Sequence, residues 1–180
     1  MMTTTLDAIR AAGPYPEVWK RILRGLGKTC ADDELLPYSK IVYTSGLSDA
    51  LWACRAEPKY ERQWRRYIVW CIKHRQGLLS NQNLLHVIDV ADRYACGKAT
   101  DDELFDAREL AYVEKMNAEY ASAEELIAYA VWCATFETVG AIVQGATGDL
   151  ALDLKKDYSW SISDIIRDAQ RVEFLRVVGQ

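Results

Sequence analysis

The stretch RYACGKATDDELFDARELA (residues 93–111) ends one helix and starts another within a few residues. Gly97 follows a segment whose apolar residues recur at helical spacing. Glycine is the residue that most readily takes the left-handed conformation of a helix C-cap. Thr100 and Glu103 then form a TxxE capping box, in which each side chain satisfies a backbone N–H at the new helix start. The two aspartates between them add negative charge where the helix dipole is positive. The stretch predicts the corner of an α-hairpin, which needs no catalytic explanation.

Similar start and stop signals lie on both sides of this corner. Gly27 and Gly46 follow amphipathic segments, and Pro58 precedes a longer segment with a broad apolar face at helical spacing. Ser122 begins an SxxE box ahead of a long apolar helix that reaches Val139. Pairs of alternating strands joined by Asn-Gly or Asp-Gly are absent from the sequence.

These signals together predict an all-α fold. We expect one domain over residues 1–180, with about seven to nine helices packed mostly as antiparallel α-hairpins. The segment QGATGD (144–149) is expected to break the long apolar helix, and a candidate sub-boundary lies near 145–149. A last helix is expected to open at Ser161–Asp164.

The composition is that of an ordinary globular chain. Half of the 180 residues are hydrophobic and 27% are charged, and no apolar run approaches the roughly 18 residues that a membrane span requires. The opening MMTTTLDAIRAAG has neither the basic region nor the apolar region of an export signal. A cytoplasmic location and no membrane partner are therefore expected.

The five cysteines are scattered singly, with no CxxC pair, which argues against a disulfide framework or a zinc knuckle. Three of them lie in apolar helical segments and are expected to be buried thiols: Cys54, Cys71 and Cys133. Neither a cofactor nor a metal is expected.

The net charge is −4, and charged residues are distributed unevenly along the chain. Residues 1–90 hold 13 Lys and Arg against 9 Asp and Glu, whereas residues 91–180 hold 9 against 17. A molecule polarised in this way can orient itself on a charged partner. Two differently solvated faces would give the same pattern.

The cationic residues concentrate in KYERQWRRYIVWCIKHR (59–75), where Arg62, Arg66 and Lys73 fall at i, i+4 and i+11. This spacing places them on one stripe of a helix, opposite its aromatic face, with Arg65 and Arg75 flanking it. Such a stripe can contact phosphates or an acidic partner, and it can equally be a solvated helix face.

An acidic counterpart follows the corner. Asp102, Asp106 and Glu109 share one side of the new helix, and this acidic ridge could mimic a row of phosphates or bind a basic partner. Its first member is also explained by the helix dipole. Trp160, in DYSWSIS at a loop-to-helix entry, is the least core-like tryptophan and the best candidate for an interface anchor.

Enzyme signatures are nearly absent from the sequence. It contains no P-loop, GxGxxG, HExxH or GxSxG motif. A metal site formed by Cys71, His74 and His86 is conceivable, but no motif supplies a fourth ligand, and a surface or hydrogen-bonded histidine is the favoured interpretation.

Three stretches carry a family resemblance: TTTLDAIRAAGPYPEVWKRILRGLGKT (3–29), SGLSDALWACRAEP (45–58) and VIDVADRYACGKATDDELFDARELA (87–111). They resemble small helical proteins of phages, prophages and bacterial genomes, many of them described as immunity proteins. Phage anti-defence inhibitors, including anti-CRISPR proteins, are similar in size, acidity and lack of catalytic motifs. The resemblance implies a helical binding protein and transfers no catalytic residue. Beyond residue 111 this chain departs from the pattern with an acidic C-terminal half and a distinct final helix.

The sequence and the resemblance together favour a non-enzymatic phage or mobile-element protein that binds and inhibits a macromolecule. The expected partner is a protein or ribonucleoprotein, either a toxin or a defence effector such as a CRISPR complex. Two other hypotheses stay open: direct nucleic-acid binding through the basic stripe, which the overall acidity disfavours, and a small hydrolase that uses Cys71 or His74.

Overall fold

The computed structural model of the chain describes residues 1–74, 80–120, 122–147 and 160–179. The described residues form ten α-helices: α1 Leu6–Ala11, α2 Pro16–Leu26, α3 Tyr38–Ser45, α4 Leu47–Ala53, α5 Glu61–Lys73, α6 Gln82–Ala95, α7 Asp101–Asn117, α8 Ala123–Cys133, α9 Val139–Thr147 and α10 Trp160–Gly179. Short 3₁₀ turns at Cys54–Ala56 and Pro58–Tyr60 join α4 to α5. The predicted all-α fold is confirmed, with one helix more than the expected upper number.

A two-stranded antiparallel ladder, which the sequence did not reveal, ties the N-terminal region together. β1 (Thr3–Thr4) pairs with β2 (Leu36–Pro37), with Thr4 opposite Leu36. The backbone N–H of Met2 also donates to the Val178 carbonyl of α10 at 2.7 Å. Strands of two residues carry no periodic pattern, so nothing in the sequence marks them.

The core is built around α5, whose apolar face is buried as its helical spacing predicts. The Trp64 ring stacks on Phe174 of α10 with centroids 5.7 Å apart and meets Tyr38 of α3 edge-on at 5.1 Å. Tyr67 also meets Phe174 edge-on. The final helix thus completes the same core that the N-terminal helices begin.

The corner between α6 and α7 has the predicted geometry. Gly97 takes a φ of +71°, and the next N–H, that of Lys98, donates to the Arg93 carbonyl at 2.8 Å. The Glu103 N–H donates to Thr100 Oγ1 at 3.2 Å, and the Thr100 N–H donates to Glu103 Oε2 at 2.7 Å. Both halves of the capping box are present.

Charge also supports this corner. The hydrogen bond from the Thr100 N–H, and then the guanidinium of Arg93, hold the pKa of Glu103 below its usual range. A carboxylate with a lowered folded-state pKa stabilises the fold at neutral pH. That contribution is lost as the pH falls through the folded-state value.

The long apolar helix expected from Ser122 through Val139 is a wrong prediction, because the chain forms α8 and α9 with a turn between them. Thr135 Oγ1 donates to the Trp132 carbonyl at 2.6 Å, and Thr138 Oγ1 accepts from the Ala141 N–H at 3.4 Å. Hydroxyl side chains of this kind compete with helix continuation and cap a new start.

Gly145, expected near a helix break, lies inside α9 instead. A Cβ at this position would come within 2.9 Å of Cys133 Cβ and of Ile68 Cδ1, so the glycine allows α9 to pack closely on α8 and α5. Residues 146 and 147 of the candidate sub-boundary also belong to α9, and residues 148–149 are outside the described residues. The last helix begins at Trp160, one residue before the predicted Ser161.

We predict that the Thr100 hydroxyl stabilises the corner. Thr100→Ala should lower the free energy of unfolding by about 1 kcal/mol, because the Glu103 N–H loses its acceptor. Thr100→Ser keeps the hydroxyl and should stay close to the wild type. Urea unfolding followed by circular dichroism measures both, and an alanine variant as stable as the serine variant would contradict the capping account.

Candidate interaction surfaces

The basic stripe of α5 is only partly available to a partner. Arg62 and Arg66 are exposed, and neither forms an ion pair with any described residue. Lys73 is half-buried and pairs with Asp92 of α6. The guanidinium of Arg62 lies close to the corner, since a Cβ on Gly97 would be 3.4 Å from Arg62 Nη1.

Arg65, expected to flank this stripe, is completely buried. Its guanidinium pairs with Glu61 and donates to the carbonyls of Ala134 and Phe136, the latter at 2.7 Å. It also lies over the Tyr94 ring, 4.9 Å from the centroid. Arg65 therefore joins α5 to the α8–α9 turn and to α6. The other flanking residue, Arg75, is outside the described residues.

We predict that Arg65 and its neighbour Arg66 differ sharply in their contribution to stability. Arg65→Met leaves the buried carbonyl of Ala134, the partly buried carbonyl of Phe136 and the carboxylate of Glu61 without their donor, and should lower the free energy of unfolding by about 3–5 kcal/mol. Arg66→Met, on the exposed side of the same helix, should change it by less than about 0.5 kcal/mol. Chemical denaturation measures both, and two equally small effects would contradict the buried role of Arg65.

The acidic ridge lies at the surface, as the sequence predicts. Asp102, Asp106 and Glu109 are all exposed on α7, and within the described part of the chain none of their carboxylates accepts a hydrogen bond or forms an ion pair. Their charge is therefore not neutralised by the fold itself.

Apolar side chains that the sequence analysis did not single out lie beside this ridge. Phe105, Tyr112, Val113 and Met116 are each between 44% and 60% exposed. We use the name outer face of α7 for these four residues together with the acidic ridge. The spacing of these residues could have predicted the outer face, since Phe105, Tyr112 and Met116 fall at i, i+7 and i+11 on one side of a helix. The opposite side holds the buried Leu104, Ala107 and Ala111.

Rings and cations border the outer face on the side of α8. Tyr112 packs against Trp132 with centroids 5.8 Å apart, and Trp132 packs edge-on against Phe136 at 4.7 Å. The Arg108 guanidinium lies 5.0 Å from the centroid of Phe105, and it also pairs with Glu137 at 3.7 Å. These contacts hold Phe105 and Tyr112 in place on an otherwise exposed surface.

Trp160, the candidate anchor, is the first residue of α10. Its side chain lies outside the part of the structure that is described, so its role as an anchor stays a prediction.

The three residues of the hypothetical metal site do not form a metal site. Cys71 is buried, whereas His74 is exposed and stacks on Trp70, with ring centroids 3.7 Å apart. His86 is exposed on α6. Over residues 1–74, 80–120, 122–147 and 160–179, no group of three or more His, Cys, Asp or Glu side chains could hold a metal ion.

The buried thiols are poorly suited to nucleophilic chemistry. Burial raises the pKa of Cys133 to about 11 and raises that of Cys54 well above the ordinary value. A thiol is a nucleophile only as the thiolate, which burial disfavours. The predicted burial of Cys54, Cys71 and Cys133 is confirmed.

Comparison with protein-family models, with curated proteins and with solved structures finds no match to this chain. Among the described helices, none is long and apolar enough to cross a membrane.

Proposed function

We propose that this chain is a non-enzymatic binding protein of phage or mobile-element type that inhibits a macromolecular target through the outer face of α7. The target is a defence effector such as a CRISPR complex, or a toxin, in the cytoplasm. The observation that carries the proposal is an exposed helix face that combines unneutralised carboxylates with large apolar side chains.

The apolar part of the outer face supports binding to a protein. Single exposed apolar residues are common, but a contiguous apolar patch with a polar border is typical of an interaction site. Phe105, Tyr112 and Met116 belong to the residue types enriched in the centres of protein interfaces. Covering them removes apolar surface from water, which favours association.

The acidic part of the outer face determines the kind of protein surface that fits. Asp102, Asp106 and Glu109 repel phosphates and attract lysine and arginine side chains. Proteins that hold nucleic acid display such basic side chains in their binding clefts. An inhibitor with this face can occupy such a cleft in place of the nucleic acid.

Direct nucleic-acid binding is the second candidate, since Arg62 and Arg66 are exposed. Lys73 is already paired with Asp92, and Arg65 is buried, so α5 offers two unpaired cations among its described residues. With two phosphate contacts, the slope of the logarithm of the binding constant against the logarithm of the salt concentration would be only about −1.8. This slope is small for a nucleic-acid-binding protein. We therefore favour the protein target.

We predict that reversing the acidic ridge weakens target binding mainly by slowing association. The triple variant Asp102→Lys, Asp106→Lys and Glu109→Lys should capture less of the target from a lysate of the bacterial host. In surface-based kinetics with the target identified by mass spectrometry, its association rate should fall at least tenfold at low salt. Its dissociation rate should change less.

The matched control reverses three other exposed acids, Asp7, Glu17 and Asp33, to lysine and so makes the same change of net charge. Its association rate should stay within about threefold of the wild type, since steering depends on where the charges lie. Equal losses in both triple variants would contradict a role for the outer face. Binding of bare DNA or RNA at physiological salt, lost when Arg62, Arg66 and Lys73 are reversed, would support the second candidate instead.

A further inference from the structure

A separate cavity of about 310 Å³ lies where the start of α6, the end of α7 and the start of α8 meet. Its floor is apolar and consists of the buried side chains of Leu84, Ile127 and Ala128. Its rim is polar and includes Glu114, Asn117 and Glu124. Apolar walls with a few converging polar groups are the usual form of a small-ligand site, and this volume is at the lower end of that class.

Glu114 is fixed in place on this rim. Its two carboxylate oxygens accept hydrogen bonds from the side-chain amides of Asn81 at 2.6 Å and Asn83 at 2.5 Å. The hydrogen bonds from Asn83 and then Asn81 hold the pKa of Glu114 below its usual range. The carboxylate is therefore ionised at neutral pH, and lone pairs remain on it for a further donor.

Glu124 adds a second negative charge to the same cavity. It is exposed in the first turn of α8, and no described residue forms an ion pair with it. None of the residues that line the cavity is a lysine, an arginine or a histidine. The dipole of α7 has its negative end at the rim, whereas those of α6 and α8 have their positive ends there, so the negative charge of the cavity comes from the two carboxylates.

Side chains already use several of the N–H groups at the two helix starts that border the cavity. The side chain of Asn81 accepts from the N–H groups of Asn83 and Leu84 at the start of α6. Ser122 accepts from the Glu125 N–H at the start of α8, at 3.0 Å. With three of these donors used, and with two carboxylates and no basic side chain on the lining, the cavity favours a cation over an anion.

We propose that this cavity binds an organic cation with an aliphatic body, an alkylguanidinium or alkylammonium group. The aliphatic part would lie on Leu84, Ile127 and Ala128, and the charged head would donate to Glu114 and Glu124. Charge-assisted hydrogen bonds of this kind are stronger than neutral ones. The cation comes either from a free amine or from an arginine or lysine side chain of a partner protein. This inference is independent of the outer face of α7.

The test is a titration of the ¹⁵N-labelled full chain with N-acetyl-arginine methylamide, followed by amide chemical shifts. We expect saturable shifts at residues around the cavity, such as Leu84 and Ala128, with a dissociation constant of roughly 1 mM or tighter for a ligand of this size. The citrulline analogue has the same shape without the charge and should bind at least tenfold more weakly.

Two variants test the carboxylates separately. Glu124→Gln removes a charge that has no ion pair among the described residues and should weaken binding about tenfold without affecting folding. Glu114→Gln should weaken it at least as much, although the variant also changes contacts to α6. Asp33→Asn removes an exposed carboxylate outside both the cavity and the outer face, so it is the matched control and should bind like the wild type.

The two sources of the cation are distinguished with agmatine and with the blocked peptide Ala-Arg-Ala. Tighter binding of the peptide identifies a partner side chain as the ligand, and tighter binding of agmatine identifies a free amine. Equal binding of the arginine and citrulline derivatives would overturn the proposal. So would the absence of saturable shifts for every cation at millimolar concentrations.

Discussion

The guanidinium of Arg65 connects three parts of the chain at one buried position, and a fourth through Tyr94. It pairs with Glu61 in α5, donates to the carbonyls of Ala134 and Phe136 after α8, and lies over Tyr94 near the end of α6. Tyr94 in turn donates through its hydroxyl to Asp101 at 2.8 Å, at the start of α7. A buried charge is tolerated only when its donors find acceptors, and Arg65 uses four of its five N–H groups in hydrogen bonds to Glu61, Ala134 and Phe136.

The position of α7 follows from this connection and from the corner that precedes it. The small side chains of Ala107 and Ala111 bring α7 close to its neighbours, and Leu104 anchors its first turns in the interior. The opposite side is left with Phe105, Tyr112 and Met116 beside three carboxylates. The fold thus presents the outer face on a helix that is fixed at its start and along its inner side, which reduces the entropy lost when a partner binds.

Short sequence motifs predicted those parts of the fold that depend on contacts between residues close in sequence. The corner from Gly97 to Glu103 was predicted correctly, because its hydrogen bonds join residues that are close in sequence. Arg65 was predicted only to flank the basic stripe, because its partners Ala134 and Phe136 lie about 70 residues away and only the tertiary fold brings them together. The turn between α8 and α9 is an exception, because the hydroxyl contacts of Thr135 and Thr138 join residues only three apart and were not recognised within the apolar segment. The acidic ridge was recognised by its charge, whereas its apolar neighbours resembled ordinary core positions until the structure placed them in solvent.

Carboxyl footprinting of the chain, free and bound to its captured target, tests the role of the outer face most directly. Carbodiimide labels exposed carboxylates, and mass spectrometry reports the extent of labelling at each residue. If the outer face is the binding surface, labelling of Asp102, Asp106 and Glu109 falls in the complex while that of Asp7, Glu17 and Asp33 stays unchanged. Undiminished labelling of all three ridge carboxylates in a saturated complex would contradict this account.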